Sequence, residues 1–562
     1  MRKESAVIYQ IYPRAFLDTD GDGWGDLQGI MAKADYLSEL GVDMVWISPI
    51  FPSPQKDNGY DVSDYKAIDP RFGSMEEFEQ LVKVFRERGI GIMLDMVFNH
   101  TSTEADWFQR AKEGDLSYRD YYLIRPAKTD GSYPTNWTSK FGGPAWAPFD
   151  SESYYLHLYD PGQADLNWRN PGLRQELYDV VNFWTEKGVM GFRFDVLNVI
   201  GKAEVLEDSS GTIEEEKKLY TDTPIVHDFI REMNRKSFGK NPEILTVGEM
   251  SSTNPEDGAK YSQENGKELS MLFQFHHLKV DYENGEKWTL ARPDIEKLKR
   301  VMNFWQKELQ EKGGWNALFW NNHDQPRANS RFADPVRYPF ESATLLAQTI
   351  HLMRGTPYIY QGEEFGMKNP DFTKPEQFLD VEARNAYRAL RKAGSSQEEA
   401  LEILKAKARD NSRTPMQWSG ERNAGFSTGK PWMAPDPSYK TVNAKADLAR
   451  GEKSIFRYYR KLIALRKKSD LIQTGSYLPI LEELPGLFAY ERENDRALLL
   501  QLSNFTDRPL SIPETALEEE VQARKFSPDK IRLLFGNYQR ETWSREDLRL
   551  EPYEAVALLV EK

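Results

Sequence analysis

Three carboxylates stand where apolar, strand-like stretches end. In Gly191-Phe-Arg-Phe-Asp195 the two-residue alternation puts Phe192 and Phe194 on one side and Arg193 and Asp195 on the other. Ile244-Leu-Thr-Val-Gly-Glu249 delivers an acid directly after an apolar run, and Ala317–Asn321 leads into Asn322-His323-Asp324. A fourth stretch carries Asp95 and runs on into Asn99-His100. Carboxyl groups gathered in this way can divide the work of nucleophile and proton donor. An arginine two residues away on the same face, as Arg193 is from Asp195, favours the ionised form of its neighbour. Taken singly, each acid reads equally well as a helix cap or a loop anion. Taken together at strand ends, they specify one site.

Two further groupings carry chemistry. Asp18-Thr-Asp20-Gly-Asp22-Gly-Trp24-Gly-Asp26 spaces oxygen ligands at positions 1, 3, 5, 7 (the Trp24 carbonyl) and 9, the order in which an EF-hand loop presents them to Ca²⁺. Position 12 is Gly29, so the bidentate glutamate is missing, which argues against a sensor role. The expectation is a structural Ca²⁺ (or Mg²⁺) held by Asp18, Asp20, Asp22, Trp24 and Asp26, against an Asx-rich turn with no ion. The stretch Phe273–Trp288 supplies His276, His277, Lys279 and Lys287. Such residues attract a phosphate where acids would repel one, although charge runs are more often solvated loop faces.

Elements that would position these groups follow from periodicity. Val7–Tyr12, Met44–Ser48, Ile92–Phe98, Gly191–Asp195, Ile244–Glu249, Met271–Phe275, Ala317–Asn321 and Pro357–Tyr360 read as strands. Helical spacing separates them, as where Phe78, Leu81, Val82 and Phe85 follow a Ser74/Glu77 capping box. That alternation predicts an α/β fold, a (β/α)8 TIM barrel. It breaks after His100, where a loop-rich stretch too long for a connection predicts a small inserted domain after the third strand. The expected division is barrel over 1–100, insertion over 101–171, barrel again over 172–476, and a C-terminal antiparallel β-sandwich domain over 477–562. A second excursion covers about 362–452.

Composition bounds the function. The 562 residues are 39% hydrophobic and 29% charged, with a net charge of -14 and no cysteine. Thiol chemistry, zinc thiolates and iron–sulfur clusters are thereby excluded, and an acidic chain argues against nucleic acid or an anionic membrane as partner. Mean hydropathy is -0.68. No apolar run of about 18 residues is present to span a bilayer, and the first residues carry no secretion signal, so a cytoplasmic address is expected. The expected partner is a small-molecule substrate, and the expected state a monomer or weak oligomer.

Asp95-Met-Val-Phe-Asn-His100, Gly191-Phe-Arg-Phe-Asp195, Glu249, Asn322-His-Asp324, Gln163-Ala-Asp-Leu-Asn167 and Tyr9-Gln-Ile-Tyr-Pro13 together resemble, in order, the conserved regions of the α-amylase family of glycoside hydrolases. The resemblance covers nearly the whole chain. It implies a retaining mechanism with Asp195 as nucleophile, Glu249 as acid/base and Asp324 as the acid that steadies the transition state. His100 and His323 would then donate to sugar hydroxyls. Tyr60 and Asp61 would form a stacking platform and a hydroxyl acceptor for the non-reducing glucose, and Arg413 would be a further sugar contact. Val196 and short insertion loops resemble the oligo-1,6-glucosidase side of the family. The basic segment at 276–287, with Val247–Ser252, Gly313–Ala317 and His323–Arg327, resembles instead the branch acting on trehalose 6-phosphate. On that resemblance His276, His277, Lys279, Lys287 and Arg327 join the substrate-binding set. The alternatives are an oligo-1,6-glucosidase, a sugar isomerase that returns the glycosyl group to an acceptor, and a non-catalytic ancillary subunit. The intact acids speak against the last.

Overall fold

The structure, a computed structural model, describes residues 1–540 and 548–562. Its centre is a ring of parallel strands: β1 (Ile8–Ile11), β2 (Met44–Ile47), β3 (Gly91–Met96), β4 (Gly191–Phe194), β5 (Leu245–Met250), β6 (Met271–Gln274), β7 (Ala317–Leu318) and β8 (Thr356–Tyr360). Hydrogen bonding runs β6-β5-β4-β3-β2-β1-β8-β7, and a parallel bridge from Leu272 to Asn316 closes the ring between β6 and β7. These eight strands are the eight that periodicity predicts. They are short and wholly buried apart from Gly91, as expected where helices cover the outside and side chains fill the inside. Trp46, Phe273 and Tyr358 fill the interior, with ring centroids 5.7 and 6.2 Å from Trp46.

The outer layer follows the amphipathic reading. Met75–Arg86 starts on the Ser74/Glu77 capping box and turns Phe78, Leu81, Val82 and Phe85 inward. Pro171–Glu186, Pro224–Lys236, Ile295–Glu311, Pro339–His351 and Ile455–Lys468 complete most of the remaining wall.

Two excursions stand on the face where the strands end. The insertion after β3 has its own small core of Leu123, Trp137, Trp146, Leu156 and Leu158, shared with Val196 and Val199 just beyond β4 and with Tyr220. The second excursion carries helices Val381–Ala393 and Gln397–Lys407. It brings Asp380 and the segment 409–413 over the barrel mouth.

The C-terminal region is one antiparallel sheet: β9 (Ser476–Pro479), β10 (Leu487–Glu493), β11 (Ala497–Asn504), β12 (Arg532–Gly536) and β13 (Ala555–Glu561), in the order β9-β10-β11-β13-β12. The sequence reading expected a sandwich of two sheets. Instead, Tyr490, Leu499, Ala557 and Leu559 face the barrel core, while Leu498, Leu500, Leu502 and Leu558 face helix Glu514–Ala523 and a two-stranded ribbon (Leu510–Ser511 with Arg549–Leu550). The barrel, chiefly helix Pro339–His351, covers one face, and helix Glu514–Ala523 with the ribbon covers the other in place of a second full sheet. Among the described residues no helix is long and apolar enough to cross a membrane.

Candidate active site

Strand register creates the site. Arg193 on β4 lies beside Asp95 of β3 and Val247 of β5. Asp195 and Glu249 are each two residues further along, on the same face as Arg193 and Val247. All three carboxylates therefore meet one guanidinium. Arg193 Nη1 donates to Asp95 Oδ1 at 2.7 Å and to Asp195 Oδ1 at 2.6 Å, and Nη2 donates to Glu249 Oε2. The arginine is 1% exposed, so one buried cation serves three buried acids. Burial pushes Glu249 above the usual carboxylate range; Asp195, Asp324 and Asp95 add to the rise and Arg193 opposes it. Burial raises Asp95 as well, against the pull of Arg193. Trp46 Nε1 and the Tyr60 hydroxyl donate to Asp95 Oδ2, at 3.1 and 2.9 Å.

Asp324 is held differently. Arg413 Nη2 donates to its Oδ1 at 2.6 Å, Arg409 Nη1 lies 3.4 Å away, and His323 Nε2 is 3.4 Å from Oδ2. Burial by itself would raise Asp324, but His323, Arg409, Arg413 and Arg193 more than offset it and hold the group well below the usual range. Burial also lowers His323, to about 3, so its ring is neutral at pH 7. Gln10 Nε2 donates to His323 Nδ1 at 2.8 Å, which leaves the proton on Nε2, an atom with no hydrogen-bond partner among the described residues. The ring is stacked on Tyr60 at 5.1 Å and on Tyr12 at 6.0 Å. This aromatic floor and an unspent N–H beside an anion are what a sugar ring with hydroxyl edges needs.

Several residues chosen from sequence lie elsewhere. Asp61 is fully buried, and its carboxylate accepts from Ser53 Oγ, Lys56 N and Asp57 N. It shapes the turn through Gln55, Asn58 and Gly59, which have φ of 63°, 52° and 103°. Asp57, which the sequence reading passed over, bonds Arg409 Nη2 at 3.1 Å and Gln163 Nε2 at 3.1 Å. Burial raises it to about 7, with Arg409 opposing. Arg327 spends its guanidinium on the carbonyls of Gln361 and Ser412 and is a structural staple. His277 sits between Gln274 and the Phe319 carbonyl, and His276 lies against Trp305 of an outer helix. Burial holds both neutral, near 3 and 4 respectively, and neither lines the cavity. His100 is buried with both ring nitrogens engaged, by Asn99 on one side and by the Tyr60 carbonyl and Gln163 on the other.

Beside Asp324 opens a cavity of about 410 Å³ whose wall includes Asp324, Arg409, Gln325, Lys279, Lys287 and Glu382, but not Asp195 or Glu249. Among the described residues Lys279 Nζ has one hydrogen bond, to the Ser251 carbonyl at 3.2 Å. Lys287 Nζ is paired with both oxygens of Glu382 at 2.8 Å, so its charge is already met. A more open groove of about 750 Å³ between barrel and C-terminal sheet contains none of the strand-end acids.

At the loop after β1, Asp18, Asp20 and Asp22 bring one carboxylate oxygen each within 4.8 Å of one another. Burial raises Asp22, and the charges of Asp20, Asp18 and Asp26 add to it. An all-oxygen cluster of like charges fits a hard cation. Asp26 is outside that trio. Its Oδ1 caps helix Leu27–Ala32 through Gly29 N at 2.6 Å, and its Oδ2 accepts from Thr19. Trp24 donates its N–H to Asp22 at 2.7 Å and lays its ring against the Arg14 guanidinium.

A closed eight-strand barrel with acids at its strand ends and an insertion after the third strand defines a class, and the comparisons agree. Residues 10–475 match the α-amylase catalytic domain. The chain belongs to the α-amylase family of glycoside hydrolases. The trehalose-6-phosphate hydrolase of Bacillus subtilis (strain 168) is 46% identical over 566 residues, covering 100% of this chain and 98% of its own length. An oligo-1,6-glucosidase of Parageobacillus thermoglucosidasius is 45% identical over 561 residues, with 98% of each covered. The solved structure of a mutant trehalose-6-phosphate hydrolase from Bacillus licheniformis matches with a TM-score of 0.94 at 47% identity, covering 100% of this chain and 99% of that one.

Asp380 links the second excursion to the site. Its oxygens bind Arg409 at 2.8 and 3.1 Å and Arg413 at 2.8 Å. Asp380→Ala leaves two buried guanidiniums short of a partner, which costs about 3–5 kcal/mol. A melting experiment on this variant is expected to show a clear fall in Tm. Below that Tm, kcat/KM should also fall, because Asp324 loses the frame that Arg413 and Arg409 provide.

Proposed function

We propose that this chain is a retaining α-glucosidase that hydrolyses trehalose 6-phosphate to glucose and glucose 6-phosphate. The observation that carries the substrate is Lys279, an ammonium on the cavity wall that has, among the described residues, a hydrogen bond to a carbonyl and no ion pair. A phosphoryl group of about −1.5 to −2 charges near pH 7 meets that need, and a neutral disaccharide does not. The names of the relatives support the same reading.

In the mechanism, Asp195 attacks the anomeric carbon and Glu249 protonates the departing glycosidic oxygen. Both bond terminal nitrogens of one guanidinium, a close placement that fits the separation of about 5–5.5 Å in retaining sites. Glu249 then takes a proton from water, which opens the glycosyl-enzyme. Its raised proton affinity keeps it ready as an acid, while Arg193 stands beside the nucleophile. Asp324, kept ionised, steadies the positive charge that develops on the sugar ring, and His323 Nε2 donates to a ring hydroxyl. Tyr60 is the floor on which the ring lies, and Asp57 with Arg409 closes its far end. The phosphate of the second glucose reaches outward to Lys279. A phosphorylated disaccharide does not cross a bilayer unaided, so the enzyme works in the cytoplasm.

At the loop after β1, Asp18, Asp20 and Asp22 hold a structural Ca²⁺ or Mg²⁺. It steadies the first strand's exit and takes no part in the chemistry.

Glucose release from trehalose 6-phosphate, trehalose and isomaltose, measured side by side, tests the substrate. The phosphorylated sugar should be cleaved far faster, and the Asp195→Ala enzyme, folded by its melting curve, should release nothing. Isomaltose as the best substrate would move the assignment to an oligo-1,6-glucosidase. Glu249 must carry a proton to act, so kcat/KM should fall as pH rises through its elevated pKa. Glu249→Gln should lose that basic limb and about 10²–10⁴-fold of the rate. A chelator should lower Tm, with added Ca²⁺ restoring it by mass action, while kcat at temperatures well below Tm stays the same.

A further inference from the structure

Two more lysines reach the cavity from outside the barrel strands. Lys140 belongs to the insertion. Its backbone N–H is fixed on the Leu158 carbonyl at 2.8 Å, and its Nζ lies 5.7 Å from the Tyr159 ring and 5.6 Å from the Tyr220 ring. No carboxylate among the described residues pairs with it. Lys217 sits on a short helix, Ile213–Lys218, in the connection after β4, and its ion pair among the described residues is with Glu214, at 3.7 Å with a side chain 84% exposed. Both line the same cavity as Lys279. The acids of that wall are already engaged: Asp324 by Arg413, Glu382 by Lys287, and Glu216 by Thr138. Three lysines from three separate segments therefore surround one space with, among the described residues, no ion pair closer than the 3.7 Å contact of Lys217 with Glu214. Their mutual repulsion shows: burial lowers Lys279, with Lys217 lowering it further and Glu214 opposing, and burial lowers Lys140 to about 8, with Lys217 and Lys279 adding to the fall and Glu249 opposing.

The helix bearing Lys217 is tied to the segment bearing Lys140. Glu216, 5% exposed, accepts from the N–H of Thr138 at 3.1 Å and from its hydroxyl at 3.1 Å. Thr138 is two residues before Lys140.

Resting on the substrate reading above, we propose that Lys140 and Lys217 complete, with Lys279, a three-sided cradle for the phosphoryl group, and that Glu216 is the positioning residue that sets the two new sides against each other. Selectivity for the phosphorylated sugar then resides as much in the insertion and the β4 connection as in the segment after β6. The alternative is a set of solvated charges that touch no ligand, which is the commoner fate of surface lysines.

The test compares Lys140→Ala, Lys217→Ala and the double variant with the unaltered enzyme. Two readouts are taken: the ratio of kcat/KM for trehalose 6-phosphate to that for p-nitrophenyl α-glucoside, and the inhibition constant of glucose 6-phosphate against the aryl glucoside. Loss of one charge-assisted contact is expected to lower the ratio and raise the inhibition constant by about tenfold or more, and the double variant by about a hundredfold. Glu216→Ala should shift both readouts in the same direction. Glu216→Gln, whose amide oxygen still accepts from the Thr138 N–H, should restore them in part. Melting curves check folding throughout. If the unaltered enzyme does not prefer trehalose 6-phosphate to trehalose, the substrate reading fails and the cradle with it. If it does prefer it, and the lysine variants keep both readouts within twofold, the cradle alone is wrong.

Discussion

One guanidinium shared among three buried carboxylates is the constraint around which this active site is built. Arg193 binds Asp95, Asp195 and Glu249 at once. A single positive charge cannot satisfy three negative ones away from water, so the cluster holds its protons unevenly. Among the described residues Glu249 is ion-paired with Arg193 alone, and it is there that proton affinity rises, as a general acid requires. Asp324, outside that cluster and facing Arg413 and Arg409, shifts in the opposite direction. Two acids of similar chemistry are thus driven apart by which arginines they face.

The barrel supplies this arrangement through register alone. Neighbouring parallel strands bring Asp95, Arg193 and Val247 into one row, and the two-residue pleat places Asp195 and Glu249 one step above it. Trp46, Phe273 and Tyr358 fill the interior below, which keeps water from screening the charges from underneath. The excursions complete the site from above. Asp380 ties the second one to Arg409 and Arg413. Val196, next to the nucleophile, lies in the insertion's own core and adopts a φ of 37°, a conformation a β-branched residue seldom takes. The packing that holds it there also fixes where Asp195 points.

The β-strand count, the helices between strands, the acids at strand ends and the acidic metal-like loop were all legible in the sequence. Each is a local pattern: alternation along a strand, helical spacing, a capping box, or a run of ligands a fixed number of residues apart. Asp61 and Asp57 show where local reading stops. Both lie in Asp57-Asn-Gly-Tyr-Asp61, and three left-handed residues turn that loop so that the first acid meets Arg409 while the second is consumed by backbone N–H groups. Nothing in the composition of five residues says which way each faces. Arg327 shows the same limit, since a free donor and one spent on a carbonyl have the same letter.

What the sequence determined by itself was the barrel, its strand-end chemistry and the presence of basic residues after β6, because these depend on neighbours along the chain. Which cations face the cavity was decided only by the tertiary structure. Lys287 is cancelled by Glu382, 95 residues away, and His276 and His277 are buried against Trp305 and the Phe319 carbonyl. Lys140 and Lys217, unremarkable in their own segments, stand on the cavity wall because Glu216 docks on Thr138 across 78 residues. A charge acts through the space it faces and the partner it meets there, and both are set by contacts between distant parts of the chain.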